Sequence, residues 1–68
     1  MMEHINNKVS ELRKELNVTQ EDLAKEVKVS RQTIIAIEKG NYIPSLLLGL
    51  KIARFFKMPV EEVFTYKN

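Results

Sequence analysis

Apolar residues recur along the chain at the spacing of one helical face. Val9, Leu12 and Leu16 fall at i, i+3 and i+7 and predict a first helix over about 7–16. Asn17, a residue that tolerates left-handed backbone, is placed to end it. Thr19 then reads as an N-cap, with Asp22 three residues on completing a capping box. The second helix buries Leu23, Ala24 and Val27 and stops near Val27. Lys28-Val29 leaves room only for a tight turn, because Ser30 is the next cap. A third helix carries Ile34 and Ile37 inward and ends at Gly40. After the loop Asn41-Tyr42-Ile43-Pro44, Ser45 caps a fourth helix to about Lys57, with Leu46, Leu50, Ala53 and Phe56 as its expected inward set. Gly49 inside that helix suggests close backbone approach of a neighbour, since Gly costs up to about 1 kcal/mol there relative to Ala. Pro59 suits the first turn of a short fifth helix over 59–64. Alternation in Phe64–Tyr66, and roughly in Met2–Ile5, allows the two ends to pair as a short ribbon.

Composition narrows what such helices can do. Sixty-eight residues form one domain, 1–68, and 44% of them are apolar. A chain this short buries only about 60% of the surface that it exposes when unfolded. With no Cys, neither disulfides nor thiolate metal sites can add stability, and a single His makes a transition-metal site unexpected. Packing must hold the fold, with oligomerisation as a further source. No apolar run approaches the length of a membrane span, and the first ten residues lack the apolar core of a signal peptide. A cytoplasmic protein with no cofactor, no membrane contact and no small-molecule ligand is expected. No enzyme site emerges: His4 has no defined nucleophile beside it, and Glu21/Asp22 and Glu61/Glu62 start helices, where acids favour the dipole.

The net charge of +2 is uninformative until it is divided. Residues 28–57 hold six bases against the single acid Glu38, a net of +5, which leaves the remainder at −3. Such asymmetry focuses a field on one face, although a solvated surface explains it as well. The third helix lies within this basic half. At 100° per residue, the face opposite Ile34 and Ile37 consists of Gln32, Ala36 and Lys39, with Ile35 at its margin and Arg31 on the flank. That set suits a duplex DNA groove. Gln can bond an adenine edge, a small apolar group can meet a thymine methyl, and Arg can fork onto guanine. An ordinary polar face, with Ile35 partly buried, is the alternative. At the N-terminal ends of the second and third helices, free N–H groups favour anions. Gln20 could serve one phosphate and Ser30 and Thr33 another, although Ser30 also acts as a cap.

Two short helices joined by a tight turn across residues 20–39 describe a helix-turn-helix. Gln20-Glu21-Asp22-Leu23-Ala24, Val29-Ser30-Arg31-Gln32-Thr33-Ile34, Ile37-Glu38-Lys39-Gly40, Pro44-Ser45-Leu46 and Leu50-Lys51-Ile52-Ala53 closely resemble the Cro/phage-repressor (Xre-type) helix-turn-helix family. The resemblance spans about residues 7–64 and looks most like the small stand-alone dimeric repressors of the cytolysin-repressor kind. It implies an all-α, five-helix, lambda-repressor-like DNA-binding domain, with the third helix in the major groove of double-stranded DNA and a homodimer on a pseudo-palindromic operator. By the same resemblance Arg31, Gln32 and Ala36 fall at base-reading positions, Ile35 at a variable neighbour, and Gln20, Lys39 and Asn41 at phosphate positions. Arg13 and Glu38 match a family pair tying the first helix to the third, expected as an exposed ion pair worth about 0–1 kcal/mol.

The chain departs from the family pattern at three places. Lys28 stands where Gly is preferred in the turn, Ile35 replaces a commonly polar residue, and Leu47 and Phe55 are unusually apolar. With Met58, Val60, Phe64 and Tyr66, the last two offer a self-association surface, or else fill the core. A transcriptional repressor is the leading reading. The alternative is a protein-binding module, such as an antitoxin-type partner, that uses this C-terminal apolar surface.

Overall fold

The computed structural model describes residues 4–67. The order of elements is β1 (His4–Asn7), α1 (Val9–Glu15), α2 (Gln20–Val27), α3 (Arg31–Lys39), α4 (Leu46–Phe55), α5 (Val60–Val63) and β2 (Phe64–Lys67). Local chemistry explains the helix boundaries. Thr19 accepts a hydrogen bond from the Asp22 N–H at 3.0 Å, and the Asp22 carboxylate accepts from the Thr19 N–H at 3.4 Å, so the predicted capping box forms. Ser30 and Ser45 cap α3 and α4 by accepting from the N–H groups of Thr33 and Leu48, at 3.2 and 3.1 Å. The first four helices are each followed by a left-handed residue: Asn17 (φ 57°), Lys28 (φ 64°), Gly40 (φ 80°) and Lys57 (φ 58°).

The core draws on all five helices. Val9, Leu23, Ile34, Ile37, Ile52 and Val63 are fully enclosed, with Ala24, Val27, Leu48, Ala53 and Phe56 around them. Ala24 provides the small side chain needed where α2 and α3 pack closely. The rings of Phe55 and Phe56 meet edge to face, with centroids 5.2 Å apart.

Several expectations are corrected. Leu16 is exposed, because the chain turns away at the end of α1. On α4 the inward face is Leu48, Gly49, Ile52, Ala53 and Phe56, whereas Leu46 and Leu50 are 75% and 47% exposed. Gly49 is buried under side chains rather than a backbone: a Cβ there would lie 3.9 Å from the Phe64 ring and 4.0 Å from a Val60 methyl, which is ordinary contact. Pro59 caps α5 from outside, and the helix is shorter than predicted.

The ribbon joining the two ends is present, so the fold is five helices plus a small antiparallel sheet. Ile5 pairs with Tyr66 and Asn7 with Phe64. Among the described residues the first strand runs on to Asn7, past the Ile5 at which the sequence suggested it would stop, and Met2 and Glu3 lie outside the described residues. So short a ribbon is marginal alone. It is tied down here by the Lys8 N–H donating to the Val63 carbonyl at 3.0 Å and by the Asn7 amide donating to the Ile37 carbonyl at 2.9 Å.

Candidate nucleic-acid interface

With Ile34 and Ile37 sealed in the core, the rotation of α3 is fixed. Arg31, Gln32 and Lys39 are exposed, while Ala36, Ile35 and Thr33 are half-buried. The expected outer face therefore stands on the surface, at consecutive turns of one helix. Ile35 has part of its apolar side chain covered and part left open. Ser30 is exposed, and its hydroxyl lies 3.1 Å from that of Thr33. Asn41 follows Gly40, with its N–H donating to the Ala36 carbonyl at 2.9 Å and its side chain exposed. The exposed Lys39 and Asn41 thus flank the C-terminal end of α3.

A polar network runs along one side of α3, from Glu38 in its last turn to Arg31 at its start. Arg13 Nε donates to Glu38 Oε2 at 2.8 Å and its Nη2 to Glu38 Oε1 at 3.3 Å, while Nη1 donates to the Val18 carbonyl at 2.9 Å. Gln20 Nε2 donates to Glu38 Oε1 at 3.0 Å, and Gln20 Oε1 accepts from Arg31 Nη2 at 3.3 Å. The Arg13 and Glu38 side chains are only 11% and 8% exposed. The expected exposed ion pair is therefore a largely covered, two-point bridge. It is covered because α1, α2 and α3 converge on it, which helix-by-helix periodicity does not reveal.

Beside this network an open cleft of about 690 Å³ is lined by Arg13, Lys14, Asn17, Thr19, Gln20 and Arg31, among others. Lys14, Arg31 and the N-terminal end of α2 thus share one depression with a single acid, Glu21, unpaired among the described residues, an arrangement that on balance favours anions. The sequence reading did not single out Lys14 or Asn17 as lining such a cleft. Both lie outside residues 20–39, and only the packing of α1 against α3 brings them there, so no local signal marks them.

The apolar candidates divide. Leu47 is 65% exposed and Tyr66 is exposed, while Phe55, Met58, Val60 and Phe64 are half-buried and pack partly on the core. The exposed Leu46 and Leu50, assigned inward from the sequence, enlarge the outer apolar surface. A groove of about 890 Å³ runs along α4 and α5, lined by Leu47, Leu50, Met58 and Val60 and also by Lys51, Arg54 and Lys57.

A family model described as helix-turn-helix matches residues 9–63, from the start of α1 to the end of α5. The chain belongs to the helix-turn-helix family. It is of the Cro/phage-repressor (Xre) type, as its motifs indicated. This helix-turn-helix protein is 58% identical over 62 residues to an uncharacterised HTH-type transcriptional regulator of Methanocaldococcus jannaschii, covering 91% of this chain and 94% of the relative. It is 35% identical over 57 residues to the cryptic phage CTXphi transcriptional repressor RstR of Vibrio cholerae, covering 84% of this chain and 51% of RstR. Among solved structures it resembles the restriction-modification controller protein C.AhdI of Aeromonas hydrophila. The TM-score is 0.75 at 29% identity, over 81% of this chain and 83% of that one. The helix-turn-helix protein is thus a DNA-binding transcriptional regulator, and its family consists of DNA-binding proteins rather than enzymes. Among the described residues no helix is long and apolar enough to cross a membrane, and no cluster of acids and His could hold a metal ion.

Proposed function

We propose that this single-domain regulator binds a pseudo-palindromic double-stranded operator as a homodimer and represses by occupying promoter DNA in the cytoplasm. The observation that carries this reading is the exposed edge of α3, where Arg31, Gln32 and Lys39 are open to solvent on a helix whose opposite side is locked in the core. Arg31, Gln32, Ala36 and the open part of Ile35 read base edges in the major groove. Gln20, Ser30, Thr33, Lys39 and Asn41 set the register on phosphates, with Lys14 adding charge beside Gln20. Phosphate contacts of this kind fix position and affinity, whereas base contacts carry sequence information.

Two-fold symmetry places two copies of α3 about 34 Å apart, one turn of duplex, and so requires an inverted repeat. Leu47, Phe55, Met58, Val60, Phe64 and Tyr66 form the contact between copies. The repressor named among the relatives supports the direction of control. Selection of duplexes from a random pool tests the whole reading. Enrichment of an inverted repeat with half-sites one turn apart is expected, and failure to enrich any sequence would overturn it.

A second reading is favoured by one observation, the groove along α4 and α5 lined by apolar side chains and three bases. A partner protein docking there would make the chain an antitoxin-type module. Sedimentation of the pure protein separates the two, since a tight homodimer occupies that surface and a monomer leaves it free.

A further inference from the structure

We propose that Glu38, a largely covered residue on the same flank of α3 as Arg31, is a positioning residue for base reading: it orients the Gln20 amide, which in turn holds Arg31 at the start of α3. The inference rests on the assignment of Arg31 to a base edge and deepens it. A carboxylate only accepts hydrogen bonds and a guanidinium only donates them. Gln20 lies between the two, with Nε2 3.0 Å from Glu38 Oε1 and Oε1 3.3 Å from Arg31 Nη2. The opposite amide orientation sets oxygen against oxygen on one side and N–H against N–H on the other. Glu38 therefore selects one orientation, and that orientation presents an acceptor to Arg31.

Glu38 is suited to this because both of its carboxylate oxygens are held. Arg13 grips both of its oxygens at 2.8 and 3.3 Å, Arg13 is anchored in turn to the Val18 carbonyl, and both side chains are largely covered. The chain of contacts runs from α1 through Glu38 and Gln20 to the first residue of the recognition helix. A free Arg side chain loses rotamer freedom when it settles on a base. Arg31, already tethered on α2, has less to lose, and its approach to the groove is directional. Gln20 keeps one amide proton for a phosphate while doing this, since a primary amide has two donors.

The test compares base preferences of Glu38→Gln, Gln20→Met and Arg31→Ala by competition among duplexes varied one base at a time. Glu38→Gln keeps an acceptor for Arg13 but no longer dictates the Gln20 amide. Preference at the base read by Arg31 is expected to fall about five-fold, the worth of one hydrogen bond, with preference at the base read by Gln32 retained. Gln20→Met is expected to lose the same preference, together with some affinity for all sequences. The two changes combined should cost no more at that base than either alone. In the DNA-free protein, NMR order at the Arg31 Nε–H should fall in both variants, a change that a role in stability alone does not produce. Equal weakening at every base position, or an unaltered preference at the Arg31 base, overturns the proposal. If Glu38→Gln does not fold, Glu38→Asp, which keeps the charge near Arg13 but draws the acceptor back from the Gln20 amide, decides by the same two readouts. Should Arg31→Ala leave every preference intact, the base-reading assignment itself fails. Should it erase a preference that the other two variants keep, only the relay fails.

Discussion

Lys28 holds a left-handed backbone (φ 64°) at the end of α2, where its position lets the Val29 N–H reach the Ala24 carbonyl at 3.0 Å. A side chain with a Cβ costs about 1–2 kcal/mol in that conformation, and Gly escapes this at some expense in unfolded-state entropy. Lys28→Gly is therefore expected to stabilise the domain by about 0.5–1 kcal/mol. For a domain of this size, reversible thermal unfolding should register a rise of about 4–8 °C for each kcal/mol. A fall in Tm would mean that the Lys28 side chain makes compensating contacts. On α3, the proposed roles of Gln32 and Lys39 separate by their dependence on sequence and salt. Gln32→Ala should cost about 1–3 kcal/mol on the preferred operator and relax one base position. Lys39→Ala should weaken all duplexes alike and reduce the slope of log affinity against log salt by about 0.9. A Gln32→Ala variant with unchanged affinity and preference removes Gln32 from the reading face.

Between elements, the decisive contact is the Arg13–Glu38 bridge. Removing one partner leaves the other charge largely covered, and such a loss typically costs about 3–5 kcal/mol. Glu38→Ala should therefore lower stability in denaturant melts far more than Thr19→Ala, which removes an exposed cap worth about 1 kcal/mol. Equal losses would place the bridge with ordinary surface pairs. The sequence contained the caps and turns because they are local: Thr19, Ser30, Ser45 and Gly40 act within four residues of themselves. It did not contain the covering of Arg13 and Glu38, which lie 25 positions apart and meet only when three helices converge. The inward face of α4 was misread for a different reason. Leu46, Leu47, Leu48 and Leu50 spread leucine over about 200° of one helix at 100° per residue, so their spacing alone does not single out the inward face. The Val60 and Phe64 side chains settle it: they stand about 4 Å from where a Cβ on Gly49 would be, which places α5 and β2 over the 48–49–52 side. In the candidate site, the outward residues of α3 were legible because Ile34 and Ile37 fix its rotation. Lys14 and Asn17 were not, because tertiary packing brings them in.

At the scale of the whole molecule, the leucines that the core does not use become the argument for a second copy. Leu46, Leu47, Leu50 and Tyr66 are large, exposed and concentrated in the C-terminal half. A small monomeric domain gains nothing by leaving such a surface wet, whereas self-association covers it. The proposed dimer makes a quantitative claim about DNA, because joining two half-site binders turns the second contact into an intramolecular one. The gain over a single half-site is commonly about 10²–10⁴-fold. Leu47→Asp places a charge at the centre of the proposed contact and spares the core, since Leu47 is 65% exposed. The variant should keep its helical circular dichroism but sediment as a 7.9 kDa monomer where the parent sediments at twice that mass. Its affinity for the full inverted repeat should drop about 100-fold or more, while binding to an isolated half-site stays within a factor of two to three. The Tm of the parent should also rise with protein concentration, and that of the variant should not, because only dissociation couples unfolding to mass action. A parent that is monomeric at micromolar concentration and still binds the full repeat tightly would overturn the dimer. In that case the exposed leucines belong to a different partner.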